Sequence, residues 1–292
     1  MAVGVREVHA RRVATGAGCR PGPPGFRISW RMAGEDAVVV PMADDVTREL
    51  LERFVGLLRP VPWLVAVWVH GSPAGGDYRP GRSDLDLIAV VEGRCSPAEE
   101  EQLVRVHEAL AAGIPLASKL HCSYVAAGEW DGFAVRHLPW AHGELMYRPV
   151  TAATRRELHR FGAVLYGPAP AGLVPRVTDR QLAGFVADDL RTYWRPALDH
   201  AERWRQDIRV DLGLLTLARE ATTLMSGRLI TKSEALDVLA ELGAPAEVVH
   251  DIRQRRYGCP APTMPEWIDR RADLTRAFLG PAIDRVLTGR RP

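Results

Sequence analysis

From residue 44 onward the chain changes hydrophobic period in a regular order. Val46, Leu50, Leu51, Phe54 and Leu58 recur at helical spacing, and Pro60 closes that helix. An unbroken apolar run follows, "VPWLVAVWV" (Val61–Val69). It is half the length of a membrane span, so it predicts a buried strand at Leu64–His70. A Gly-Ser turn and a loop rich in Gly, Pro and Arg lead to a second apolar strand, expected at Asp84–Val91. Ser96-Pro97 opens a helix with Leu103, Val106, His107 and Leu110 on its inner face. "SKLHCSYVAA" (Ser118–Ala127) reads as a third strand, and weaker strand signals run to "GELMYRPV" (Gly143–Val150).

Beyond Thr151 the period is helical. "TDRQ" (Thr178–Gln181) and "TKSE" (Thr231–Glu234) both match the capping box, in which the first and fourth residues satisfy each other's backbone donors. Gly227 ends an apolar helix that covers Leu212 to Met225, and further helices are expected at Ala246–Tyr257 and Trp267–Leu287. The pattern predicts an α/β (α+β) domain with a mixed sheet over 42–150, followed by an all-helical bundle over 151–292. Residues 1–41 contain "CRPGPPGFR" (Cys19–Arg27) and no sustained period, so they read as a disordered extension. Met32 and Met42 would serve as alternative starts.

Composition narrows the class. The 292 residues carry 38 Lys plus Arg against 36 Asp plus Glu. That near-balance gives no support to a nucleic-acid binder, which concentrates basic charge. No apolar stretch suits a membrane span, and the N-terminus lacks the apolar core of a secretory signal. Cys19, Cys95, Cys122 and Cys259 form no C-x-x-C pair, so reduced thiols in a cytoplasmic protein are expected. A monomer with small-molecule partners follows as the working expectation. Only two of the basic residues are lysine, Lys119 and Lys232. Arginine serves for surface charge everywhere else, so each lysine asks for a reason.

The chemistry gathers in "VHGSPAGGDYRPGRSDLDLIAV". Asp84 and Asp86 alternate with Leu85 and Leu87, so both carboxylates leave the strand on one face. Neighbouring carboxylates disfavour each other's charge unless a cation lies between them. Mg²⁺ suits them, because it takes one or two carboxylates and leaves its other positions to water and phosphate oxygens. Gly71 lets backbone approach a phosphate, and Ser72 donates beside it.

Strand, Gly-Ser, loop and Asp-hydrophobic-Asp together resemble the nucleotidyltransferase superfamily that includes DNA polymerase beta-like enzymes. The resemblance implies that Asp84 and Asp86 hold Mg²⁺, and that Gly71, Ser72 and Ser83 shape a phosphate site. It also implies that a nucleotidyl group is transferred to a hydroxyl. The helical half, with "FGAVLYGPAPAGLVPRVTDRQL" (Phe161–Leu182) and "LLTLAREATTLMSGRLITKSEA" (Leu214–Ala235), resembles the adenylyltransferases that modify streptomycin and spectinomycin. By that resemblance ATP is the donor, and Arg219, Lys232 and Tyr257 contact the nucleotide. An aminoglycoside-like small molecule is the implied acceptor, with Trp204, Asp207 and Asp211 as acceptor-side residues once a gap is allowed.

Three departures accompany the resemblance. The family's third acid, on the next strand, aligns with His121, which as an imidazole can accept a proton but brings no negative charge to a metal; a satisfied strand histidine is an equal reading, with Glu129 or Glu144 as the acid instead. The family's drug-contacting tryptophan has no counterpart in "ELMYRPV". The acceptor acids align only with a gap. The alternative function is a catalytically weak, antitoxin-like nucleotide-binding regulator on the same fold. His137, Trp140 and His142 read as core or loop residues, and "TRRELHR" (Thr154–Arg160) reads as a solvated helix face.

Overall fold

The computed structural model describes residues 44–259 and 264–289. The extension expected at 1–41 lies outside the described residues. Helix α1 (Asp45–Leu58) is capped by Asp44, whose carboxylate accepts from the Thr47 amide at 2.8 Å. It leads into β1 (Leu64–His70), a single helical turn α2 (Gly71–Ala74) and β2 (Leu85–Val91). Helix α3 (Pro97–Gly113) starts on a capping box between Ser96 and Glu99. Then come β3 (Leu120–Ala126), β4 (Arg136–Ala141) and the short strands β5 (Glu144–Leu145) and β6 (Arg148–Pro149).

The sheet is mixed. Its order is β5-β4-β3-β2-β1-β7, where β7 is Ala163–Tyr166 and β6 pairs with β4. Strands β1 and β2 are antiparallel, while β2 and β3 are parallel. Leu85, Leu87, Ala89 and Val91 of β2 face a core shared with α1 and α3. The intervening Ile88 and Val90 face a second core with Ala66 and Trp68 of β1 and Leu158 of α4 (Ala152–Phe161). A strand's period of two therefore puts Asp86 on the α4 side of the sheet, and likewise His70 on β1 and His121 on β3. The sheet's last strand, β7, lies past residue 150.

The remaining chain is helical: α5 (Asp179–Asp189), a π-helical turn at Leu190–Trp194, and the short α6 (Arg195–Ala197). Then follow α7 (Asp207–Ser226), α8 (Lys232–Glu241), α9 (Ala246–Tyr257) and α10 (Pro265–Leu287). Both expected capping boxes form, at Thr178 and at Thr231. Gly227 caps α7 with φ at 67°. A separate apolar core binds these helices through Leu214, Leu217, Leu236, Ile252 and Leu279. Among the described residues no helix is long and apolar enough to cross a membrane. Among the described residues Cys95 and Cys122 are free thiols.

Candidate active site

A cleft of about 580 Å³ opens between the sheet and the helical half. One side is built by the ends of β1 and β2. Gly71 takes φ at +65°, which an L side chain rarely adopts, and a Cβ there would meet Asp86 Oδ2 at 2.8 Å. Glycine is therefore favoured by its dihedral, and an added Cβ would push the Asp86 carboxylate aside. Ser72, Asp84 and Asp86 line the cleft beside it. His70 and Asp86 are register partners across β1 and β2, as Asp86 and His121 are across β2 and β3.

Both lysines of the chain come to the aspartate pair. Lys119 Nζ lies 3.4 Å from Asp84 Oδ1. Lys232, in the first turn of α8, lines the cleft, and its pKa is lowered. Burial is the largest cause, followed by the Arg256 and Arg219 charges, while Asp86 and Asp84 pull the other way. His121 keeps Nδ1 3.8 Å from Asp86 Oδ1 and packs edge-on against His142, with ring centroids 4.7 Å apart. Burial lowers its pKa, against the pull of Asp84 and Asp86.

Glu157, on α4, organises the middle of the cleft. Its Oε1 accepts from Arg219 at 3.0 Å, and its Oε2 lies 3.3 Å from His70 Nδ1. Arg219 Nε also donates to the Ile230 carbonyl at 3.0 Å, which fixes the guanidinium. Burial works against charge on both acid and imidazole. The hydrogen bond between them, with the Arg219 and Asp86 charges, overrides it: Glu157 is lowered and His70 is raised. The "TRRELHR" segment is thus solvated only in part. Arg155 is 3% exposed, donating to the Trp130 and Gly132 carbonyls, and Glu157 is 8% exposed.

Other expected site residues lie elsewhere. Ser83 is buried, and its Oγ accepts from the Arg79 amide at 3.0 Å, so it shapes the loop between the turn and β2. The Tyr257 hydroxyl donates to Asp77 at 2.9–3.0 Å, and the Ser233 amide donates to the same carboxylate at 3.2 Å. Asp77 therefore latches the turn's loop to α8 and α9. Trp204, Asp207 and Asp211 are not brought to the cleft. Trp204 is 1% exposed and donates to the Ala197 carbonyl. Asp211 pairs with Arg255 at 2.5 Å and Asp207 with the fully buried Arg271 at 2.7 Å. Buried guanidinium groups need such partners, which accounts for these acids without a ligand. His137 and Trp140 are core residues, and Trp140 stacks on His107 with ring centroids 4.4 Å apart.

The donor set fits Mg²⁺ in one specific way. Among the described residues no group of three or more His, Cys, Asp or Glu is arranged to hold a metal ion by itself. Asp84 and Asp86 offer two carboxylates to the cleft, which is the complement that Mg²⁺ takes when water and phosphate oxygens complete its shell. With Lys232, Arg219 and Ser72 on the same cleft, the arrangement is complementary to a metal-bound polyphosphate.

No family model matches the chain, and no curated protein matches it. Among solved structures the chain is similar to the spectinomycin adenyltransferase AAD(9) from Enterococcus faecialis, determined with ATP and spectinomycin. That match covers 80% of this chain and 98% of the other at 17% identity, with a TM-score of 0.61. A toxin-antitoxin structure with AMP-PNP matches over 40% of this chain and 73% of that one at 16% identity. Its TM-score of 0.26 is too low to bear on the fold. The chain has the nucleotidyltransferase fold: a mixed-sheet α/β domain followed by a helical domain.

Proposed function

We propose that the protein transfers AMP from ATP to a hydroxyl of a small, aminoglycoside-like acceptor. The observation that carries the reading is the convergence of Asp84, Asp86, Gly71, Ser72, Lys232 and Arg219 on one cleft. In this reading Asp84 and Asp86 hold Mg²⁺, which supplies charge neutralisation and alignment of the phosphates. Ser72 donates to the phosphates where Gly71 lets the backbone come close, and Lys232 and Arg219 offset their remaining charge. The acceptor oxygen attacks the α-phosphorus in line, the bond to the bridging oxygen breaks, and pyrophosphate leaves. His121, on the same face of the sheet as Asp86, is the side chain we assign to receive the hydroxyl proton. We assign Tyr257 a supporting role through Asp77, as part of the latch that holds the turn against α8.

The test uses ATP labelled in the α-phosphate, with Mg²⁺, against spectinomycin, streptomycin, other aminoglycosides and a small-metabolite extract. Asp84→Asn/Asp86→Asn protein is the blank. Label on an acceptor that is absent from the blank supports the reading. No transfer to any of them, with nucleotide binding intact, overturns it. Among the described residues no third acid joins the aspartate pair to hold a metal; this favours the regulator reading, and that second outcome is the one it expects.

A further inference from the structure

The two lysines meet the aspartate pair from different elements, and only Lys232 has a role in the chemistry above. Lys232 and Arg219 line the cleft from the helical half. Lys119 comes from the sheet. It ends the short turn at Pro115–Lys119 that leads into β3, and its Nζ donates to Asp84 Oδ1 at 3.4 Å. The backbone fixes this meeting. In the parallel ladder Leu85 pairs with Leu120 and Asp86 with His121, so Asp84 and Lys119 stand one step before the first pair. Each aspartate thus has its own neighbour from the β3 side, an ammonium for Asp84 and an imidazole for Asp86, the latter with Nδ1 at 3.8 Å.

Stability does not account for the Lys119–Asp84 pair. The two side chains are 37% and 45% exposed, and ion pairs this open contribute little to folding. Surface charge does not account for it either, because only two of the 38 basic residues are lysine. An ammonium is a compact point charge, closer to a metal ion in shape than a planar guanidinium. Two-metal sites use their ions as a clamp on the attacking and leaving oxygens. Here no third His, Cys, Asp or Glu among the described residues joins the aspartates to hold a metal. A carboxylate has about four lone-pair positions, so Asp84 can keep Lys119 on Oδ1 and still offer oxygen to one divalent ion. A second ion on the β3 flank would lack a further carboxylate and would meet the charge of the ammonium.

We propose that Lys119 is a built-in cation that takes the place of a second divalent metal ion at the aspartate pair, so that the site works with the single Mg²⁺ that accompanies the nucleotide. The proposal rests on the reading of the cleft as a nucleotidyltransferase site and adds its metal stoichiometry. Lys119 is a positioning residue: it acts through Asp84, holding that carboxylate and offsetting negative charge on the flank where His121 stands.

The experiment counts bound Mn²⁺ by electron paramagnetic resonance in protein saturated with α,β-methylene ATP, which cannot release pyrophosphate. Wild type is expected to hold one Mn²⁺ per nucleotide. Lys119→Met is expected to hold a second, weaker one, and Lys119→Arg, which keeps the charge, to hold one. Melting curves of the variants are the control on folding. AMP transfer is assayed in parallel against Mg²⁺ concentration. Lys119→Met should lose about tenfold to a hundredfold in kcat, the range of one charge-assisted contact, with KM for ATP little changed. Excess Mg²⁺ should restore part of that loss, while wild type should gain nothing once its ATP is saturated with Mg²⁺. A wild-type count other than one, or a single Mn²⁺ in Lys119→Met, would each overturn the proposal. Nucleotide that fails to bind removes the reading of the cleft and this proposal with it. The expected Mn²⁺ counts without AMP transfer remove the proposed activity and leave Lys119 in place. Transfer by a wild type that holds two Mn²⁺ removes only the Lys119 assignment.

Discussion

Gly71 and Asp86 touch across the first two strands: a methyl group added at Gly71 would lie 2.8 Å from Asp86 Oδ2. The turn and the carboxylate are therefore fitted to each other, and a change at one has to move the other.

Gly71→Ala is expected to damage function more than stability. The left-handed backbone costs an alanine roughly 1–2 kcal/mol, which for a chain of this size is a fall in melting temperature of a few degrees, at ~2–4 °C per kcal/mol. The displaced carboxylate is expected to reduce AMP transfer by about a hundredfold or more, equivalent to ~3 kcal/mol in the barrier. Thermal melting and the labelled-ATP assay read the two effects separately. Full activity in the variant would remove the tight fit as a functional requirement.

Glu157 is expected to be the costliest residue of the cleft to remove. Glu157→Ala leaves Arg219 and His70 without their shared partner, and breaking a buried pair in this way costs about 3–5 kcal/mol. The pH dependence has a definite sign. Glu157 is lowered from 4.5, so its contribution is present above that value and is lost as pH falls through its folded pKa. His70 is raised from 6.5, so its contribution is full below that value and is lost as pH rises through its folded pKa. The difference in melting temperature between wild type and Glu157→Gln should peak between pH 4.5 and 6.5 and shrink on both sides.

Lys232→Met should separate binding from stability in the opposite direction. A positive charge in the first turn of α8 opposes the helix dipole by about 0.3–1 kcal/mol, so the variant is expected to melt no lower than wild type. Its affinity for ATP should fall by about tenfold, the loss of one charge-assisted contact. Calorimetry decides it, and unchanged nucleotide affinity would take Lys232 out of the phosphate site.

Glu220→Gln is expected to stabilise the fold, increasingly so as pH rises. An unfolded chain ionises this acid above 4.5, while the folded protein keeps its proton to about pH 10. Wild type therefore loses stability across that interval, and the amide does not. Melting curves at several pH values check it. A variant less stable than wild type at pH 8 would mean that the carboxyl group is a structural necessity.

Much of the molecule was legible because it is set locally. The capping boxes at Thr178 and Thr231 and the cap at Gly227 each depend on residues within a few positions of one another. Strands β1 and β2 announced themselves by apolar runs with turn residues between them, and the alternation of Asp84 and Asp86 fixed their common face. The lysines were legible through composition: a chain that otherwise uses arginine keeps lysine only where the aspartate pair feels it.

Charged residues away from that motif were a different matter. Glu157 in "TRRELHR" looks like any solvated helical acid, and only the packing of α4 on the sheet buries it with Arg219 from sixty-two positions away. Glu220 left a faint signal, a carboxylic acid inside the apolar stretch "LLTLAREATTLM", yet its partner Asp189 comes from another helix through a π-helical turn. Asp207 and Asp211 had suitable charge and position for an acceptor, and the tertiary structure gave them Arg271 and Arg255 instead. The sequence by itself determined the elements, their caps, and the turn-and-aspartate motif, since these follow from backbone geometry and short-range periodicity. Which acids stand free in the cleft and which are spent on buried arginines was decided only by the tertiary structure. A charge's role depends on the partner that comes within a few ångströms of it, and that partner is distant in sequence.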